Sequence, residues 1–272
     1  MPAATPPARK RPRAYDHART RAAVSAQFRN VRDALRGLDD TRLARPTRLG
    51  DWTVRDLAAH LALTVTAVPR ALDRPEPDRA GFSPLDYAAA TGLHPEDVAD
   101  AARRLAAAHP GPEDLDALYA ATERELTDRL DAAPATRLIE MRVGTMTLTG
   151  FLVTRTVELV VHTDDLNAAV PGLDIPYDRQ ALAACTRLLA DTLAAKAPGG
   201  ATEVRVPPFA VVQCVAGPRH TRGTPPNVVE TDPLTWVRLA AGRLSWADAV
   251  EEAKVSASGE RSDLSALLPL LG

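Results

Sequence analysis

Between Phe151 and Ala169 runs the segment that most restricts what this chain can fold into. Read as a helix, Leu152, Val153, Val157, Leu159, Val160, Val161 and Leu166 cover most of its circumference. A helix that is apolar on nearly every side must be covered on every side, so the segment predicts a central, buried rod. One narrow stripe is polar: Arg155, Glu158, His162 and Asp165, spaced three and four residues apart and therefore on one face. A carboxylate there needs a partner, because burying an unpaired charge is costly. Two kinds of partner are open. Arg155 can pair with Glu158 while His162 bonds Asp165, giving an internal salt bridge. Alternatively, Glu158 and His162, at i and i+4, can grip one metal ion. Spacing alone does not choose between them.

The surrounding pattern supplies further rods. Val24, Phe28, Val31 and Leu35 mark a helix from Asp16 to about Arg36, stopped by Gly37. Thr53 with Asp56 three residues on forms a capping-box pattern. The helix it opens carries Val54, Leu57, Ala58, Leu61, Val65 and Val68 on one stripe, with His60 on the stripe's shoulder, where a core histidine or a ligand could sit. Pro69, Pro75, Pro77 and Pro84 predict a long irregular connection. Helical spacing returns at 95–108 and 113–130, and alternation between Arg137 and Thr149 suggests short extended segments around Gly144. Four long amphipathic helices imply a bundle. Past Pro171, Gly172 and Pro176 the pattern changes. A helix over 178–195 precedes strands at Val204–Val206 and Phe209–Val215, short helices at 234–241 and 246–252, a strand carrying Val255 and Ala257, and a last helix at 264–271. Mixed strands and helices after a helical half predict a smaller α+β domain.

Composition narrows the function classes. Net charge is −2 and aromatic residues make up 4% of the 272, which argues against a nucleic-acid surface or an anionic-membrane patch. No apolar run reaches the ~20 residues that span a bilayer, and the N-terminus lacks the apolar region of a secretory signal, so cytoplasmic residence is the expectation. Residues 1–15, with Arg9, Lys10, Arg11 and Arg13 among Ala and Pro, read as a disordered tail. Cys185 and Cys214 are isolated and read as buried thiols. His17, His94, His109 and His220 fall in tail or loop contexts and read as surface residues.

The stretch Pro46-Thr47-Arg48-Leu49-Gly50-Asp51-Trp52-Thr53-Val54-Arg55-Asp56-Leu57-Ala58-Ala59-His60-Leu61, followed by Arg155-Thr156-Val157-Glu158-Leu159-Val160-Val161-His162-Thr163-Asp164-Asp165-Leu166, resembles the mycothiol-dependent maleylpyruvate isomerase family. That family belongs to the wider DinB-like group of metal-binding four-helix bundles, and the likeness covers roughly 16–170. It implies that His60, Glu158 and His162 bind zinc or another divalent metal, leaving one coordination position open as in catalytic sites. It also implies mycothiol as the thiol cofactor. Its thiolate would add to an activated double bond, allow rotation and leave again, or stay on the substrate as an S-transfer product.

Residues 230–246 and 255–259 resemble the end of a sterol-carrier-protein-like domain over 177–272. That likeness implies a noncatalytic lipid or sterol carrier as the alternative function. The expected fold class is therefore α plus α+β: a DinB-like four-helix bundle followed by a smaller sterol-carrier-like α+β domain. Neither a protein nucleophile nor a general acid or base stands out, since no nucleophile elbow or P-loop is present. Asp165 is the candidate to accept the free N–H of His162. Arg155 could neutralise the site or hold an anionic substrate. Arg243 and Arg261 could clamp carboxylates if the second domain covers the metal, although solvated surface positions are the simpler reading for both.

Overall fold

The computed structural model describes residues 13–217 and 225–271. The helical half contains α1 (His17–Leu35), α2 (Asp40–Leu43), α3 (Val54–Leu72), α4 (Pro84–Ala90), α5 (Pro95–Ala108), α6 (Pro112–Ala132) and α7 (Leu148–Ala169). A hairpin of β1 (Leu138–Met141) and β2 (Gly144–Thr147) leads into α7. Helices α1, α3, α6 and α7 form the bundle, with α5 laid along α3. Three starts, those of α1, α3 and α7, are marked by a capping side chain: Asp16 accepts from the Arg19 amide, Thr53 and Asp56 close a capping box, and Thr147 accepts from the Gly150 amide.

The second half contains α8 (Arg179–Lys196), β3 (Thr202–Val206), β4 (Ala210–Cys214), β5 (Val228–Thr231), α9 (Pro233–Ala240), α10 (Trp246–Glu251) and β6 (Val255–Ser258). Its sheet has the order β4-β3-β5-β6, with β3 and β5 parallel and the outer pairs antiparallel. Gly259 ends β6 at a φ of +96°, where a Cβ would stand 2.3 Å from the Pro226 carbonyl oxygen, so this turn requires glycine.

The all-round apolar character of α7 now has its cause. Leu148, Phe151, Leu152, Leu159 and Leu166 join one buried cluster with α1, α3 and α6. Val153, Val157, Val160 and Val161 join another, with α8, the sheet and Trp236 of α9. One helix thus serves two cores, leucines toward the bundle and valines toward the sheet side. Full burial of each such side chain contributes about 1.5–3 kcal/mol. Gln27 of α1, itself fully buried, fixes the connection between the halves. Its amide nitrogen donates to Thr163 Oγ1 and the Pro176 carbonyl, and its Oε1 accepts from the Asp178 amide.

Three expectations need correction. The connection between Pro69 and Pro84 is less irregular than its prolines suggest. Helix α3 carries Pro69 in its last turn, and α4 forms behind the capping pair Ser83 and Asp86. The last helix is a single 3-10 turn over Ser265–Leu267. Pro269 cannot donate and pushes Leu268 into an extended conformation, which stops helix propagation. His17 is not in a tail: it opens α1 and bonds Thr149 Oγ1 at 2.8 Å. Of the expected disordered tail, residues 1–12 lie outside the described residues, as do His220 and Gly272. Arg13 pairs with Asp191 at 2.8 Å. Among the described residues, no helix is long and apolar enough to cross a membrane.

Candidate metal centre

Two helices supply the three residues singled out on the sequence. His60 lies two turns into α3, so the Thr53–Asp56 capping box that fixes the start of that helix also fixes its height. Glu158 and His162 lie one turn apart on α7. One ligand atom from each residue can be chosen so that all three lie within 4.8 Å of one another. The Glu158 carboxylate sits at the centre. Its Oε2 is 3.1 Å from His60 Nε2 and 3.4 Å from His162 Nε2. The imidazole rings meet edge to face with centroids 5.0 Å apart, and Trp52 leans on His60 at 5.2 Å. Side chains of His60, Glu158 and His162 keep 13%, 17% and 15% of their surface, so the cluster is enclosed yet reachable by a small ligand.

Each donor is held from behind. Glu158 Oε1 accepts from the Tyr87 hydroxyl of α4, which leaves Oε2 to face both imidazoles. His162 Nδ1 donates to Asp165 Oδ2 at 2.8 Å, leaving Nε2 as its inward donor atom. Asp165 is itself gripped: Arg48 Nε reaches Oδ1 at 2.5 Å, while Arg243 reaches Oδ1 and Oδ2 at 2.9 and 3.1 Å. Next to it, Asp164 takes Arg238 at 2.7 Å and Arg48 at 2.6 Å.

Protonation follows from this wiring. Burial alone would raise the Glu158 carboxyl, but hydrogen bonds from His162 and His60 outweigh it and hold the group well below the usual carboxylate range. Burial would lower His162, yet its bonds to Asp165 and Glu158 push it up to about 9. His60 is lowered, because burial exceeds the help it receives from Glu158. In the metal-free chain, then, Glu158 is balanced by the His162 imidazolium and not by Arg155. The salt bridge that spacing left open between Arg155 and Glu158 does not form: Arg155 turns to Thr154 Oγ1, at 3.2 and 3.1 Å, and lies over Phe151.

Once His162 gives up its proton, two imidazole nitrogens and one carboxylate oxygen, all reachable and braced, form a donor set suited to a divalent transition metal. Neither cysteine can join them or act as a ready nucleophile, since burial raises both thiols, Cys214 to about 11 and Cys185 further.

The sequence reading missed several supporting residues. Tyr87 was hidden in a proline-rich stretch, although Ser83-Pro84-Leu85-Asp86 carries a helix-start signature that could have placed it. Arg48 and Arg238 act across more than seventy residues of chain, for which no local signal exists. Arg243, expected to be solvated, is bidentate on Asp165 instead. Arg261, by contrast, donates to the Ala216 carbonyl and has no contact with the cluster.

Fold and cluster together define a class: a helical bundle with a His–Glu–His donor set, joined to a small α+β layer. The family model for the mycothiol maleylpyruvate isomerase N-terminal domain matches residues 24–167, more than half the chain, and the chain belongs to that family. A second model, described as a bacterial SCP ortholog, matches residues 178–270. Among solved structures, the chain is similar to a mycothiol-dependent maleylpyruvate isomerase at 16% identity and a TM-score of 0.59. A histidine-to-alanine variant of such an isomerase also matches, at 16% identity and a TM-score of 0.58. In both cases 95% of this chain and 97% of the other are covered, so the likeness of fold extends over both halves. A search of curated proteins gives no match.

Proposed function

We propose that this chain is a metal-dependent enzyme that uses a low-molecular-weight thiol, mycothiol, to isomerise a small electrophilic substrate. His60, Glu158 and His162 are the proposed ligands and zinc the proposed metal. The single observation that carries the reading is the convergence of three donor atoms within 4.8 Å from two helices. His60, Glu158 and His162 would hold a divalent ion that, with a coordination position left open, would make a bound thiol more acidic.

The chain's own residues do the rest. Asp165 fixes the His162 tautomer through Nδ1, and Tyr87 fixes the Glu158 carboxylate through Oε1, so neither ligand has to reorganise. The His162 N–H and then Arg243 hold Asp165 as an anion against the burial that would otherwise favour its protonation, and Arg48 bonds the same carboxylate. Trp52 covers His60 and helps to keep water from that side. With both cysteines buried and raised, the attacking sulfur comes from a small thiol and not from the protein. S-transfer differs only in whether that sulfur leaves the product, and the same residues serve it.

The test is metal analysis of the purified chain, followed by calorimetric titration of mycothiol with and without a chelator. Stoichiometric metal and chelator-sensitive thiol binding are expected, both lost in His60→Ala and His162→Ala. Absence of metal, or thiol binding indifferent to chelator, rejects the reading.

A further inference from the structure

Arg155 sits one helical turn before Glu158 on the polar stripe of α7, and among the described residues it has no carboxylate partner. Its neighbours near the site all end on one: Arg48 and Arg243 on Asp165, and Arg238 on Asp164. Arg155 Nε and Nη2 reach only the hydroxyl of Thr154, and Nη1 makes no hydrogen bond yet is not sealed from solvent. Glu158 cannot serve it, because Oε1 is taken by Tyr87 and Oε2 by the two histidines. Burial without a counter-ion lowers this guanidinium to about 9, so it remains a cation at neutral pH.

The rest of the arrangement reads as a mount. The guanidinium carbon stands 4.4 Å from the Phe151 ring centre and 5.6 Å from that of Tyr87, contacts that fix its plane. Thr154 fixes its rotation about that plane. A planar fork held on one edge and free on the other matches a carboxylate, which it can bind through two parallel hydrogen bonds. The guanidinium is near enough to the cluster for its charge to act on His60, which it helps to lower. Tyr87 links the two, with its ring against Arg155 and its hydroxyl on Glu158.

We propose that Arg155 is the subsite for a carboxylate carried by the substrate, so that the chain selects anionic electrophiles over neutral ones. The inference rests on the thiol-enzyme reading above for what the substrate meets next. It rests on Arg155 alone for how the substrate is held. A structural role is the competing account, and stability separates the two. An arginine that only packs should be missed when replaced, whereas a part-buried cation without a counter-ion is a cost that a neutral side chain of similar length relieves.

The experiment uses metal-loaded full-length chain, with maleate as an anionic alkene probe and its diamide, maleamide, as the neutral counterpart. Calorimetry is run on the parent chain, Arg155→Met and Arg155→Lys. Maleate should bind about ten- to a hundredfold more weakly to R155M, the loss expected for removing a charge-assisted hydrogen-bond partner. R155K should fall between, and maleamide should bind weakly and equally to all three. Metal content and mycothiol titration should be unchanged in R155M, and its melting temperature unchanged or raised. Equal maleate affinity in R155M and parent, or a lowered melting temperature with parallel loss of both probes, overturns the proposal. Should R155M not fold, R155K decides: maleate affinity equal to the parent's overturns it, and a selective loss of maleate supports it. Failure of metal or thiol binding in the parent chain would sink the enzyme reading instead, while the maleate comparison still decides for Arg155.

Discussion

Asp165 shows how much of this site is decided by a residue that touches no ligand position directly. It is fully buried, and burial alone would favour its neutral form. The His162 N–H and two guanidinium groups keep it ionised, and an ionised Asp165 in turn obliges Nδ1 of His162 to carry the proton. Replacing it by asparagine keeps the shape but offers an amide whose NH2 can turn toward His162, which permits the wrong tautomer. Asp165→Asn is expected to bind metal about 10- to 100-fold more weakly than the parent, the usual size of losing such a support. Competition against a chromophoric chelator reads this directly, and equal affinities would show that His162 is oriented by packing alone. The same reasoning explains what the sequence could and could not say here. Glu158 and His162 were visible from i, i+4 spacing, and His60 joined them only through the family resemblance. Arg155 and Glu158 were also visible as a pair, yet they do not bond, because the hydroxyl of Tyr87 and the imidazole of His60 arrive from elsewhere in the chain to occupy the carboxylate.

At the scale of elements, α7 carries the argument. Its all-round apolar surface was readable from sequence, and so was the conclusion that something must cover every side. What covers each side was not, since a buried valine and a buried leucine look alike until their neighbours are known. Strand β5 escaped notice for a different reason: Val228-Val229-Glu230-Thr231 runs from two apolar residues to two polar ones and shows no apolar–polar alternation in sequence. The end of the chain failed differently, with Pro269 ending a helix that the leucines around it suggested. Because α7 belongs to both cores, damage on either side of it should be felt as one event. Leu159→Ala strikes the bundle cluster and Leu189→Ala, on α8, strikes the other. Each is expected to cost about 2–5 kcal/mol in urea unfolding. Each should leave a single transition with calorimetric and van't Hoff enthalpies equal. Two separated transitions in either variant would mean that the halves unfold independently and that α7 is core to only one of them.

Across the whole molecule, the halves are joined by charge as well as by valine. Asp164 on α7 takes Arg238 from α9 and Arg48 from the loop before α3, and Arg48 and Arg243 also meet on Asp165. One carboxylate pair thus ties three separate stretches of chain beside the proposed metal ligands. A cleft of about 350 Å³ opens next to it, lined by Arg48, Asp164, Arg238, Arg243 and Lys254. Burial would raise Asp164, but its bonds to Arg238 and Arg48 prevail and set it below the ordinary value of 3.8. A group depressed in the folded state stabilises fully above its unfolded pKa and loses that contribution as pH falls through the folded one. The junction should therefore hold at full strength above about pH 4 and weaken below it. Asp164→Asn removes this dependence along with the charge. At pH 6 it should be less stable than the parent by on the order of 2 kcal/mol, discounted because both arginines keep about a third of their surface in water. Between pH 4 and 3 the parent should lose stability faster, because only it still has Asp164 to protonate, and the two curves should converge. Urea melts of both proteins at half-unit steps from pH 6 to 3 provide the comparison. Parallel curves, with a gap that stays constant to pH 3, would show that Asp164 steadies the fold by packing and that its charge pairs add nothing.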